Sequence, residues 1–77
     1  MIPRMYADGN EMTDDHRFIL DVPGSLADIR RHGATVHPGT RVVLNVQDEF
    51  EVEGVLEFDA ARETWLARPD WATRRDL

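Results

Sequence analysis

Cysteine is absent from the 77 residues, which excludes disulfides, thiolate chemistry and cysteine-based zinc sites. Lysine is absent too, and all nine basic residues are arginine. A GC-rich coding genome produces that bias. It also supplies planar, two-pronged donors suited to ion pairs or phosphates. No aliphatic or aromatic run exceeds three residues, too short for a membrane span or the apolar stretch of a secretory signal. A cytoplasmic protein with no membrane partner is therefore expected. The five glycines (Gly9, Gly24, Gly33, Gly39 and Gly54) stand singly, so no glycine-rich phosphate cradle exists and no nucleotide cofactor is implied.

Nitrogen ligands and nucleophiles are just as scarce. His16, His32 and His37 are the only histidines, and no pair has the four-residue helical spacing of a metalloprotease. The sole serine, Ser25, sits where a helix N-cap belongs and lacks the flanking glycines of a nucleophile elbow. Asp14, Asp15 and His16 are consecutive, and on a strand consecutive side chains point to opposite faces. No catalytic, metal or cofactor residue is assigned, and the expectation is a protein that is not an enzyme.

What is present is ordinary for a folded chain: 42% hydrophobic and 31% charged residues, with two Trp, three Phe and one Tyr. That mixture opposes disorder. The length suits one domain that buries about 60% of its unfolded surface. Fifteen acidic residues give a net charge of -6, which keeps a domain soluble and repels polyanions. The charge is uneven. Residues 41–63 hold seven carboxylates against two arginines, whereas the last ten residues hold three arginines against two aspartates. A basic ligand, or the arginine-rich tail of a second copy, would find the acidic segment attractive.

Residues 1–15 show no clear period and read as an irregular arm, leaving residues 16–77 as one small barrel domain. The first strand is expected over residues 16–22. Residues 25–33 follow as a short helix, with Ser25 as N-cap, Asp28 as the capping-box acid, Leu26 and Ile29 as apolar anchors and Gly33 as the left-handed closing residue. Residues 41–47 and 50–58 alternate as two strands around a tight turn at Asp48 and Glu49. Phe50, Val52, Leu56 and Phe58 lie on one face and Glu51, Glu53 and Glu57 on the solvated one. Gly54 falls at mid-strand on the apolar face, where glycine marks a bend, a bulge or a close backbone approach; here it is expected to be the point where a long strand turns the corner of a small barrel. A third strand spans residues 64–68 with Trp65 in the core. A 3₁₀ turn is expected at Pro69, Asp70 and Trp71, and residues 73–77 are either a short edge strand or frayed.

Residues 37–71 resemble the strand–turn–bent strand–turn–strand core of SH3-like small barrels, a group that includes Tudor, KOW and related bacterial barrels. The resemblance is carried by Pro38 and Gly39 leading into Val42, Val43 and Leu44, by Gly54 with Val55 and Leu56, and by Trp65, Leu66 and Ala67. It implies a mostly β (α+β) fold: a small antiparallel barrel or curled meander with one short helix. Neither the aromatic groove of proline-rich readers nor the four-aromatic cage of methyl readers is recognisable here, so those ligands do not carry over. Fold alone licenses no activity.

The functional expectation is a small bacterial protein-interaction module, or a self-associating subunit that forms a homo-oligomer, because a core of this size stabilises by only a few kcal/mol. Exposed strand edges would make strand addition one binding mode. The partner-binding candidates are Arg68, Trp71, Arg74 and Arg75, with Glu51, Glu53 and Glu57 on the acidic strand. The alternative is a single-stranded nucleic-acid-binding barrel, with Trp71 stacking a base and the arginines holding phosphates. Against it, Trp71 closes the barrel and the arginines pair with the glutamates of the neighbouring strand.

Overall fold

A computed structural model describes residues 2–77. Five strands form one mixed sheet: β1 (Arg4–Ala7), β2 (Phe18–Ile19), β3 (Arg41–Val46), β4 (Phe50–Asp59) and β5 (Thr64–Asp76), in the order β1-β3-β4-β5-β2. The sheet curls into a half-barrel, and one helix, α1 (Pro23–Arg31), packs on β1. No described helix is long and apolar enough to cross a membrane.

The arm is the first correction. Residues 4–7 pair parallel with β3, Met5 opposite Leu44 and Ala7 opposite Val46, so the sheet is not purely antiparallel. Met5 and Ala7 are fully buried there. They join Phe18, Leu20, Val42, Leu44, Val46, Val52, Leu56 and Ala67 in one core. The period of two was present but covered only four residues, two of them weak strand formers.

α1 also departs from expectation. It starts at Pro23, whose missing N–H suits the first helical position, and Val22 flanks it without a side-chain cap. Ser25 is consequently inside the helix and fully buried, and its hydroxyl donates to the Tyr6 carbonyl at 2.5 Å. Asp28, one turn on, accepts from the Tyr6 amide at 2.8 Å. The outward-facing backbone groups of Tyr6 are thus satisfied by two side chains of the helix. Ile29 packs on the core, whereas Leu26 is exposed. Gly33 opens a 3₁₀ turn and is not left-handed; His32 is the C-cap.

β2 is shorter than residues 16–22, because His16 takes a left-handed turn with φ 65° and only Phe18–Ile19 pair with β5. Its far side is closed by a bridge from Met12 to Phe18 and by the Ile19 amide donating to the Glu11 carbonyl at 2.8 Å. The β3–β4 turn has Gln47 and Asp48 at φ 54° and 59°, one residue earlier than expected and with the doubly left-handed backbone of a hairpin turn.

β5 replaces the expected 3₁₀ turn and tail with one 13-residue strand. Its register against β4 slips between Glu51, opposite Arg75, and Glu53, opposite Asp70. Three extra residues of β5 are accommodated in that bulge. Thr73 ties it down, accepting from the Glu53 amide at 2.8 Å and donating to the Asp70 carbonyl at 2.7 Å.

Gly54 is the close approach that mid-strand glycine signals. A Cβ there would lie 3.0 Å from both the Arg68 carbonyl oxygen and Leu44 Cδ1. The carbonyl belongs to the paired strand and has little room to give. Gly54→Val should therefore lower stability by about 2 kcal/mol, measured by urea unfolding. An unchanged midpoint would show that β5 yields there freely.

Candidate partner-binding surface

The tail residues come together with the acidic strand, but as partners of one another. Arg75 lies opposite Glu51 and bonds it at 2.5 Å, while Arg4 of β1 holds the same carboxylate from the other side. Glu51 is only 4% exposed, so the expectation of an open, solvated glutamate fails there. The hydrogen bond from Arg75, then that from Arg4, holds its carboxyl below the usual glutamate range despite burial. Glu57 accepts from Arg17 at 2.9 Å and from Arg68 at 3.1 Å, and Arg17 leads in lowering its pKa. Arg41 reaches Glu53 at 2.7 Å and Asp70 at 3.7 Å. Asp15, held by the Thr13 hydroxyl and then by Arg17, is lowered to about 2.

Eight of the nine arginines form such ion pairs; Arg30 alone has none among the described residues. The guanidinium groups of Arg68 and Arg75 are thereby committed to β4.

Trp71 rides the β5 bulge and remains 45% exposed. Its ring lies 5.9 Å from Phe18 and 6.2 Å from Phe50, tilted against both. Arg74 sits 4.0 Å above the Phe50 ring while pairing with Asp76 at 3.1 Å. The result is a small patch of indole, phenyl ring and guanidinium held in place from beneath. A second aromatic pair lies at the β4–β5 turn. Phe58 is 50% exposed, not in the core as expected, and stands edge-on to Trp65 at 5.2 Å. Trp65 is partly buried and packs on the core.

Sequence reasoning missed a groove of about 490 Å³ between β1 and α1. Ile2, Pro3 and Tyr6 form its apolar part, with Arg4, Arg31, His32, Asp28 and Asn45 around them. Its lining comes from three distant segments, and no local pattern marks it. Among the described residues no cluster of His, Asp or Glu is arranged to hold a metal.

No protein family model, no curated protein and no solved structure matches the chain. The class is a mostly β half-barrel with one short helix.

The pH dependence follows from the paired carboxylates. Lowered pKa values mean that the stability contributed by Glu51 is fully present above its ordinary value of 4.5 and is lost as pH falls through the lower folded value. Glu51→Gln should cost about 1–3 kcal/mol at neutral pH, and the gap to the natural protein should close in acid. Urea titrations across pH would read it; a gap independent of pH would remove the ionised Glu51 from the account.

Proposed function

We propose that the protein is a non-catalytic interaction module of the SH3-like small-barrel kind, holding a protein partner at the patch of Trp71, Phe50 and Arg74. The observation that carries this reading is Trp71: half exposed, yet braced by Phe18 and Phe50, with Arg74 stacked beside it. Large rigid aromatics and arginine are the residue types that concentrate binding energy at protein interfaces, and bracing lowers the ordering cost of association.

A protein partner is favoured over nucleic acid by the ion pairs. Arg68 and Arg75 would have to leave Glu57 and Glu51 to reach a phosphate. Buried Glu51 would then keep Arg4 alone, and losing one of its two partners would be costly. Strand addition is also disfavoured. The outer edge of β1 is interrupted at Tyr6 by Ser25 and Asp28, that of β2 is covered by residues 11–12, and β5 beyond Ala67 carries Pro69 and the bulge. Recognition is left to the faces of the sheet.

The test is a tagged capture from the source organism's lysate, with and without nuclease, using the natural chain and Trp71→Ala. A partner that survives nuclease and moderate salt, and that folded Trp71→Ala fails to retain, is expected. Circular dichroism checks that the variant is folded. Should Trp71→Ala unfold, Arg74→Ala replaces it. Material lost on nuclease treatment would overturn the reading in favour of the nucleic-acid alternative.

A further inference from the structure

We propose that the partner segment held at Trp71 is basic: it seats a lysine or arginine on the indole and brings further cationic groups against two acidic loops beside it. The proposal rests on the reading of the chain as a protein-binding module and names the chemistry of its partner.

The ring supplies the first half of the site. Trp71 is 45% exposed, and among the described residues no cation lies on its indole. Tryptophan is the side chain that holds cations best. The neighbouring Phe50 ring already carries one, Arg74 at 4.0 Å, whose charge is offset by Asp76 at 3.1 Å. Phe18 and Phe50 brace the indole at 5.9 and 6.2 Å, so its face is preformed.

Uncommitted charge decides the sign of the occupant. Eight of the fifteen acidic side chains are engaged by arginine, which leaves seven without one among the described residues. Four of those seven, Asp8, Glu11, Asp48 and Glu49, lie on just two loops, residues 8–11 and 47–49. The loops adjoin: the Gln47 amide donates to the Ala7 carbonyl at 3.2 Å, and the Gly9 amide to Gln47 Oε1 at 3.2 Å. Both lead into the rings that brace Trp71. Glu49 immediately precedes Phe50, while Glu11 immediately precedes Met12, which bridges to Phe18. Asp48 and Glu49 are exposed, and Asp8 and Glu11 are half-buried. The one arginine without an ion pair, Arg30, belongs to α1 and not to these loops. A cationic segment therefore gains from the ring and from the loops together. An acidic segment, or a phosphate, would meet like charge at the same place.

The probe is the capped peptide KRFLR, with QQFLQ and EEFLE as its neutral and acidic counterparts, titrated into the full chain labelled with ¹⁵N. KRFLR is expected to bind with Kd on the order of 0.1–1 mM. It should move the Trp71 indole N–H and the amides of Glu11, Glu49 and Phe50, while the Trp65 indole N–H stays in place. QQFLQ should bind the same patch more weakly and EEFLE most weakly, and added salt should reduce KRFLR toward QQFLQ. Asp8 and Asp48 are tied into their turns by the Asn10 amide and the Asn45 amide group, so Glu11 and Glu49 are the residues to change. Glu11→Gln combined with Glu49→Gln should weaken KRFLR about three- to tenfold, the scale of two exposed ion pairs, and leave QQFLQ unchanged. Glu63→Gln, beyond the far end of β4, should leave KRFLR unchanged, which separates these loops from the net charge of the chain.

Equal or stronger binding of QQFLQ or EEFLE at Trp71 would overturn the basic partner and leave the interaction module standing. Shifts centred elsewhere, or none with KRFLR, would also overturn the proposal. So would dilution of the unliganded protein moving the same signals, since a second copy would then be the occupant. The titration uses no lysate, so failure of the capture experiment and failure here are separable.

Discussion

A carboxylate taken out of water has to be neutralised where it stands, and Glu51 is the carboxylate around which this sheet is arranged. Arg4, near one end of the described chain, and Arg75, near the other, meet on it. The bond from Arg75 crosses the β4–β5 ladder and that from Arg4 reaches over β3, so one buried group couples four of the five strands. Removing either guanidinium would leave the charge partly unpaid in a low-dielectric site. Both arginines remain mostly exposed, which moderates the desolvation penalty and leaves the carboxylate as the buried partner.

The same economy governs the sheet edges. A five-stranded sheet that does not close into a full barrel exposes two rows of backbone groups, a standing invitation to pair with other chains. Here α1 caps one row at Tyr6 with two side chains a single turn apart, a use of Ser25 and Asp28 that depends on their facing the sheet. The other row is short, bridged by Met12, and gives way to Pro69 and a bulge. The bulge that spoils the edge also lifts Trp71 over Phe18 and Phe50. Protection of the edge and display of the aromatic patch therefore come from one irregularity.

Legibility from sequence followed the strength of local pattern. The β3–β4 hairpin was legible because Val42, Leu44 and Val46 alternate against Val52 and Leu56 over long strands; Gly54 read as a barrel corner, and what the structure shows there is close approach to the Arg68 carbonyl. β1 was not, since four residues hold too few periods and its partner lies some 40 positions away in the parallel register. Ser25 read as a cap because caps are its commonest helix role; Pro23, two residues earlier, is the stronger start signal. Trp71 read as part of a turn, whereas it lies within β5, in contact with Phe18 and Phe50 yet 45% exposed. The pairing of the tail arginines with Glu51 and Glu57 was legible from charge alone. That Glu51 would be buried was not, because burial depends on where Arg4 is delivered.

The exclusive use of arginine takes on physical meaning in this frame, whatever its genomic origin. Glu51 and Glu57 each accept from two guanidinium groups arriving from different segments of the chain. A planar fork can hold a carboxylate while its stem lies along the sheet, and it loses less order per bond than an ammonium. Lysines at those places would give point charges of stronger hydration and poorer fit. The arginines of a net acidic chain are thus spent mainly on its own carboxylates. A polyanion would have to compete with bonds that also hold the strands together, whereas the protein partner proposed above would need only the aromatic patch. On the proposed reading, the electrostatics that stabilise the sheet would for that reason also narrow its choice of partner.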